Sequence, residues 1–345
     1  MKYGVVLLPD RPSEAQTDLW AACEDGGLDV IGLADSPAVA REVYITAAQA
    51  VAATSRVTIM TAVTNPVSRD VSVVASAVAT LDEMAPGRVV LGIGTGDSAL
   101  WGVGLRSARV EAMREYIVAL RAYWHGDKAQ LDGRSFSSNW AGWDSPTRVP
   151  ILVACSGTKV LRMAAQVADG LILAMGFGQH NLDYVHQNIA EACAEVGRDP
   201  ADLEIWGHGA LTFGETVEAA MAENLGVNPG WLTLGTLSGK QIPEEHKQAL
   251  LELTASFRNL KAEYGTESRG AHLVQLAREL GVYEWLAARA PRLWGPPEVI
   301  AGRLLDLASA GVPNWIFFLP GTDIHRAEWV DTFTKRVLPL VSTPS

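Results

Sequence analysis

The strongest constraint on this chain is an alternation. Eight short apolar runs recur along 345 residues, nearly all separated by stretches of helical periodicity. The runs are Val5 to Leu8, Val30 to Ala34, Val57 to Val63, Val89 to Ile93, Ile151 to Ala154, Leu171 to Ala174, Leu203 to Ala210 and Asn314 to Leu319. Each has strand length and an apolar, partly β-branched make-up. Helical patterns fill most of the gaps, among them Val71 to Met84, Val110 to Tyr123, Lys159 to Val167 and Asn181 to Val196. Strands that read as buried runs between helices predict a parallel sheet. Eight of them favour a (β/α)8 TIM barrel, class α/β, over a doubly wound sheet.

Two segments interrupt the alternation. Ala129 to Phe136 reads as a short hairpin. About 75 residues separate the last two strands, far more than a structureless loop of a compact domain contains. Helices are expected there within Glu244 to Leu260 and Ala271 to Leu286, with Pro296 to Ala310 after them. Residues 220–295 are therefore read as a helical insertion near the barrel mouth, within one domain spanning 1–345.

Ligands in such a barrel meet the C-terminal strand ends. The fourth strand runs into Gly94-Thr95-Gly96-Asp97-Ser98, where glycines let backbone approach a flat or bulky group. Ser156-Gly157-Thr158 opens a helix, so it is either an ordinary N-cap or an anion site built from hydroxyls, free N–H groups and the positive helix end. Met175-Gly176 lies at the next strand end and adds further N–H groups. Asp35 and Asp97 are the strand-end carboxylates suited to acid–base work, or to loop hydrogen bonds. His208 sits within the seventh strand, either as a hydrogen-bonded core residue or as a group at the pocket mouth. Asp35, Asp97 and His208 are thus the catalytic candidates. Of the tryptophans, Trp101, Trp206, Trp231 and Trp294 fall where a ring ligand could stack.

Composition narrows the function. A net charge of −11 leaves no basic stripe for nucleic acid. Three cysteines, Cys23, Cys155 and Cys193, show no metal spacing and fit a reducing cytosol. No apolar run approaches the roughly 18 residues of a membrane span, and the N-terminal run is too short for a signal peptide. No Ser-His-Asp or metal-binding histidine pattern appears. An apolar pocket without a strong nucleophile points to a bound redox cofactor that brings its own reactivity. A non-catalytic scaffold is the contrasting reading, and it would leave no cavity above the strands.

The sequence resembles the bacterial-luciferase-like barrel oxidoreductases over nearly its whole length. The resemblance is carried by Thr61-Ala-Val-Thr-Asn-Pro66, Ala75 to Glu83, Gly87 to Ser98, Gly157 to Gly170 and Trp294-Gly-Pro-Pro-Glu298. Within the family it is most similar to the branch of methylenetetrahydromethanopterin reductase, many of whose actinobacterial relatives use the deazaflavin F-420. The resemblance implies F-420 or FMN lying across the barrel mouth. Thr61, Ala62, Val63 and Asn65 would back the ring, with a cis peptide near Ala62-Val63. Gly94 and Gly96 would line ring and tail, and Ser156, Gly157, Thr158, Met175 and Gly176 would hold the phosphate. It implies a small organic substrate and a homodimer. The reductases carry an acid on the first strand where this chain has Val6. That departure argues against pterin reduction and raises the alternative of an FMNH2- and O2-dependent monooxygenase served by a separate flavin reductase.

Overall fold

A computed structural model describes residues 1–140, 149–233, 236–257, 269–319, 321 and 323–342. Eight strands form the barrel: β1 (Tyr3–Leu7), β2 (Val30–Leu33), β3 (Thr58–Thr61), β4 (Val89–Ile93), β5 (Ile151–Cys155), β6 (Gly170–Leu173), β7 (Glu204–Gly209) and β8 (Asn314–Phe318). All eight pairings are parallel, each strand beside its neighbours in sequence, and β1 closes the ring against β8 with Tyr3 opposite Trp315.

The continuous apolar character of the strands follows from covering both faces. Val5 and Leu7 join the cluster packed under the helices, whereas Val6 belongs to a separate inner cluster with Val30, Met60, Leu152, Ile172, Trp206 and Ile316. Those side chains fill the middle of the barrel, so ligand space lies towards its ends. The helix Val71–Met84 begins where Asp70 accepts the Ser72 N–H at 3.0 Å. The end of the chain is held by aromatic packing. Trp329 and Phe333 stack 5.0 Å apart, and Phe317 of β8 lies 5.6 Å from Trp329.

The hairpin pairs Ala129–Leu131 with Arg134–Phe136, as its sequence predicts. The insertion contains helices Pro229–Thr233, Glu244–Phe257, Arg269–Glu279 and Tyr283–Arg289. Leu250, Leu253, Val274, Leu286 and Trp294 help form an apolar cluster distinct from the barrel's. Leu260 and Tyr264 lie outside the described residues. A small parallel pairing of Thr212–Phe213 with Trp294–Gly295 joins the two ends of this segment and was not legible from periodicity, because each strand has two residues.

The third strand is shorter than its apolar run. Regular pairing ends at Thr61, the Ala62–Val63 bond is cis, and a single bridge resumes at Thr64 opposite Ile93. Gly92 lies so close to β3 that a Cβ there would sit 2.0 Å from the Thr61 carbonyl oxygen. Both partners at this contact are backbone, so the clash cannot be relieved by turning a side chain. Gly92→Ala is expected to destabilise the protein by about 3 kcal/mol, the upper end of the usual cost of overpacking a close-packed core; a fall in the urea midpoint measures it, and an unchanged midpoint contradicts this packing.

Candidate active site

The C-terminal strand ends surround a cavity of about 390 Å³. Its wall is built from backbone and small side chains: Ala34 after β2, Ala62 and Val63 after β3, Gly94 to Asp97 after β4, Ala154 of β5 and Gly176 after β6. Val6, Ile172 and Ile316 of the inner cluster reach it from below. The insertion supplies the far side, with Asn228, Trp231, Leu232 and Arg289. The space is mostly apolar, and a cavity of this kind does not fit the scaffold alternative.

The structure brings together Asp35, Ala62, Val63, Gly94, Gly96, Asp97, Ser156, Gly176 and His208 around this cavity. Thr61, Asn65, Gly157, Thr158 and Met175 do not line it. The Thr61 hydroxyl donates to the Gly92 carbonyl at 2.7 Å, which ties β3 to β4 from behind. The Asn65 side-chain oxygen accepts the N–H groups of Val67 and Ser68 at 3.0 and 2.9 Å, so it shapes the loop. Of the four tryptophans named for stacking, Trp231 lines the cavity. Trp206 fills the barrel interior, Trp294 is buried in the insertion's cluster, and Trp101 ends a short helix outside the lining.

Asp35 is 4% exposed and heavily engaged. It accepts two hydrogen bonds from Arg69, at 2.5 and 3.1 Å, and one from the Thr64 hydroxyl at 2.7 Å. Burial works against the Arg69 charge, but Asp35's hydrogen bonds and negative charge outweigh it and hold the guanidinium above its ordinary pKa. Asp35 is therefore a carboxylate that fixes the β2 and β3 ends to one another. Beside it, Ser36 lines the cavity while its hydroxyl is buried and has no hydrogen-bond partner among the described residues. The sequence places Asp35-Ser36 at a strand end facing the pocket, but gives Ser36 no role of its own.

The helix Thr158–Val167 begins with Gly157 extended at its N-cap. Its first N–H does not point at open space. Thr158 N–H donates to the Gly239 carbonyl at 3.3 Å, and the Thr158 hydroxyl donates to the same oxygen while meeting the Tyr184 hydroxyl at 2.9 Å. The insertion thus covers the helix end, and only Ser156 of the three anchor residues faces the cavity. Arg289 holds that cover in place by donating to the Met175, Lys240 and Gln241 carbonyls.

Lys240 lies along the Gly157 backbone, 6% exposed, and donates to the Trp231 carbonyl at 2.9 Å. Burial pushes its ammonium down to about 8, with the Asp97 charge opposing the shift. Nothing local in the sequence marked Lys240, because it meets Gly157 across more than 80 residues.

Comparison with known proteins places this architecture. Residues 1–314 match the model of the luciferase-like monooxygenase family. The chain belongs to that family. It is 26% identical over 227 residues to 5,10-methylenetetrahydromethanopterin reductase of Methanolobus tindarius, covering 65% of this chain and 68% of that one. It is 37% identical over 167 residues to the F-420-dependent glucose-6-phosphate dehydrogenase of Beutenbergia cavernae, covering 45% of this chain and about half, 49%, of that relative. Among solved structures, the coenzyme F-420 dependent tetrahydromethanopterin reductase of Methanopyrus kandleri superposes with a TM-score of 0.73 at 19% identity, covering 99% of both chains, which shows the shared fold.

The Lys240 shift has a definite sign. Between about 8 and the ordinary 10.5, the folded protein has shed this proton while the unfolded chain still holds it, so this group makes stability rise with pH across that window. Wild type is expected to gain stability relative to Lys240→Met between pH 7.5 and pH 10. Denaturation midpoints at both values check this, and a constant difference contradicts it.

Proposed function

We propose that the protein is an oxidoreductase that binds F-420 or FMN across the barrel mouth and moves hydride between that ring and a small organic substrate. The observation that carries the reading is the shape of the wall. Ala62, Val63, Gly94 and Gly96 make a smooth apolar surface, and a Cβ on Gly94 would approach Val63 to 3.0 Å. A flat ring fits such a surface. The names of the F-420-dependent relatives support the same reading.

When bound, the ring supplies the site that gives or takes hydride. The protein's part is to orient it and exclude water. Ala62, Val63, Gly94 and Gly96 would set the ring plane. Ser156 and Gly176 face the cavity and would meet a phosphate group first. A phosphate reaching the Thr158 N–H would have to displace the Gly239 carbonyl. Trp231 and Leu232 would close the substrate side.

Monooxygenation with reduced FMN and O2 is the second reading. It is favoured by how the acids around the cavity are engaged among the described residues: the first strand presents apolar Val6, Asp35 is committed to Arg69 and Thr64, and Asp97 acts on the Lys240 ammonium. In that case a separate flavin reductase supplies the FMNH2. The three free, buried cysteines support a cytosolic setting for either reading. Exposed Ile45 and Val73, on adjacent helices, support a homodimer.

Titration with F-420 and with FMN, followed by fluorescence, is expected to show micromolar or tighter binding of one of them. Gly94→Val, which adds bulk to the wall, should weaken that binding about tenfold or more, the cost of a single misplaced contact of about 1.4 kcal/mol. Failure of both ligands to bind wild type refutes the cofactor reading. Turnover without oxygen excludes the monooxygenase.

A further inference from the structure

His208 is half-buried and lines the cavity from the end of β7. Its Nδ1 lies 3.1 Å from the Ile316 carbonyl oxygen of β8. A carbonyl oxygen can only accept, so Nδ1 carries the ring proton. In the neutral ring, Nε2 is then a lone-pair acceptor. No hydrogen bond to Nε2 is formed among the described residues. The Trp231 ring packs on the imidazole, with centroids 4.8 Å apart and planes inclined by 34°, and restricts its rotation. The result is an oriented base in an apolar space.

We propose that His208 is the proton acceptor of this site, taking the hydroxyl proton of a substrate on Nε2 as hydride leaves the adjacent carbon. This rests on the oxidoreductase reading above, with an oxidised deazaflavin or flavin as hydride acceptor. The step balances. The C–H bond gives hydride and both its electrons to the ring, the O–H bond gives its proton to Nε2, and the carbon–oxygen bond becomes a carbonyl.

The surroundings suit this role. Burial pushes the imidazole down to about 4, against the opposing Ile316 hydrogen bond, so the ring is neutral at pH 7. No charged group contributes to that shift. The charged side chains around the cavity are Asp35, tied to Arg69, Asp97, which acts on Lys240, and Arg289, which donates to backbone carbonyls. The Cys155 thiol is pushed up by burial and donates to the Val153 carbonyl. Ile316 and Trp231, which pack on the ring, bring no titratable group. At neutral pH Nε2 carries no proton, so in the resting protein it is free to accept one.

The tautomer is read on the whole chain without cofactor, by long-range nitrogen–proton correlation of ¹⁵N-labelled imidazoles, with His208→Gln giving the assignment. The expected result is a neutral ring at pH 7 with its proton on Nδ1; a proton on Nε2 overturns the proposal. The second arm uses F-420 with small secondary alcohols such as 2-butanol and cyclohexanol. His208→Phe should bind F-420 like wild type yet turn over alcohol about 100-fold more slowly or worse, the usual loss on removing a positioned base. It should also lose the acid limb of the wild-type kcat/KM profile. Bound F-420 with no alcohol oxidation by wild type overturns the proposal, as does a Phe variant within about threefold of wild type. If wild type binds neither F-420 nor FMN, the oxidoreductase reading fails together with this one, whereas the failures just named leave that reading standing.

Discussion

The approach of β4 to β3 is the contact on which the cavity wall depends. Gly92 sits against the Thr61 carbonyl with no room for a Cβ, and the Thr61 hydroxyl reaches back to the Gly92 carbonyl. The same Gly92 oxygen accepts the Thr64 N–H at 3.0 Å, and the Thr64 carbonyl accepts the Gly94 N–H at 2.9 Å. This ladder carries the strand pair past the irregular Ala62–Val63 step. It leaves Ala62, Val63, Gly94 and Gly96 presented side by side. Any larger residue at Gly92 would part the two strands and tilt the surface on which a ring is expected to lie.

A second set of interactions fixes what stands opposite that wall. The insertion is anchored through backbone carbonyls. Gly239 meets Thr158, Lys240 and Gln241 are gripped by Arg289, and Arg289 also donates to Met175. Backbone anchoring of this kind holds the position of Trp231 without demanding a particular side chain at each contact. Trp231 in turn packs on His208, whose other edge is held by Ile316. Wall, insertion and base are thus parts of one arrangement, each oriented by its neighbour. The buried Lys240 is the cost of that closure, since its charge gives up most of its water.

Much of the framework was legible in the sequence, because strand and helix periods are local properties of the chain. The eight runs lie where the barrel strands form, with boundaries shifted by one or two residues, and the hairpin at Ala129 to Phe136 is present. Thr61 and Thr158 show where local reading stops. Both stand at the expected strand and helix ends, yet one turns behind the wall and the other is capped by Gly239. Side-chain direction at a strand end depends on where the pleat breaks, and a helix end is free only if nothing distant covers it. Ser36 shows the same limit: its strand-end position is local, but the burial of its hydroxyl without a partner among the described residues is not.

The sequence by itself determined the order of strands and helices, the closing of eight parallel strands and the glycine-lined end of β4. Those follow from periodicity and from backbone freedom, which neighbouring residues set. Only the tertiary structure decided which strand-end groups share the cavity and what state they hold. The proton on His208 is placed by a carbonyl 108 residues away, and the end of the helix at Thr158 is covered by one 81 residues away. A side chain's tautomer, charge and reach depend on the groups packed against it, and in a closed barrel those come from distant parts of the chain.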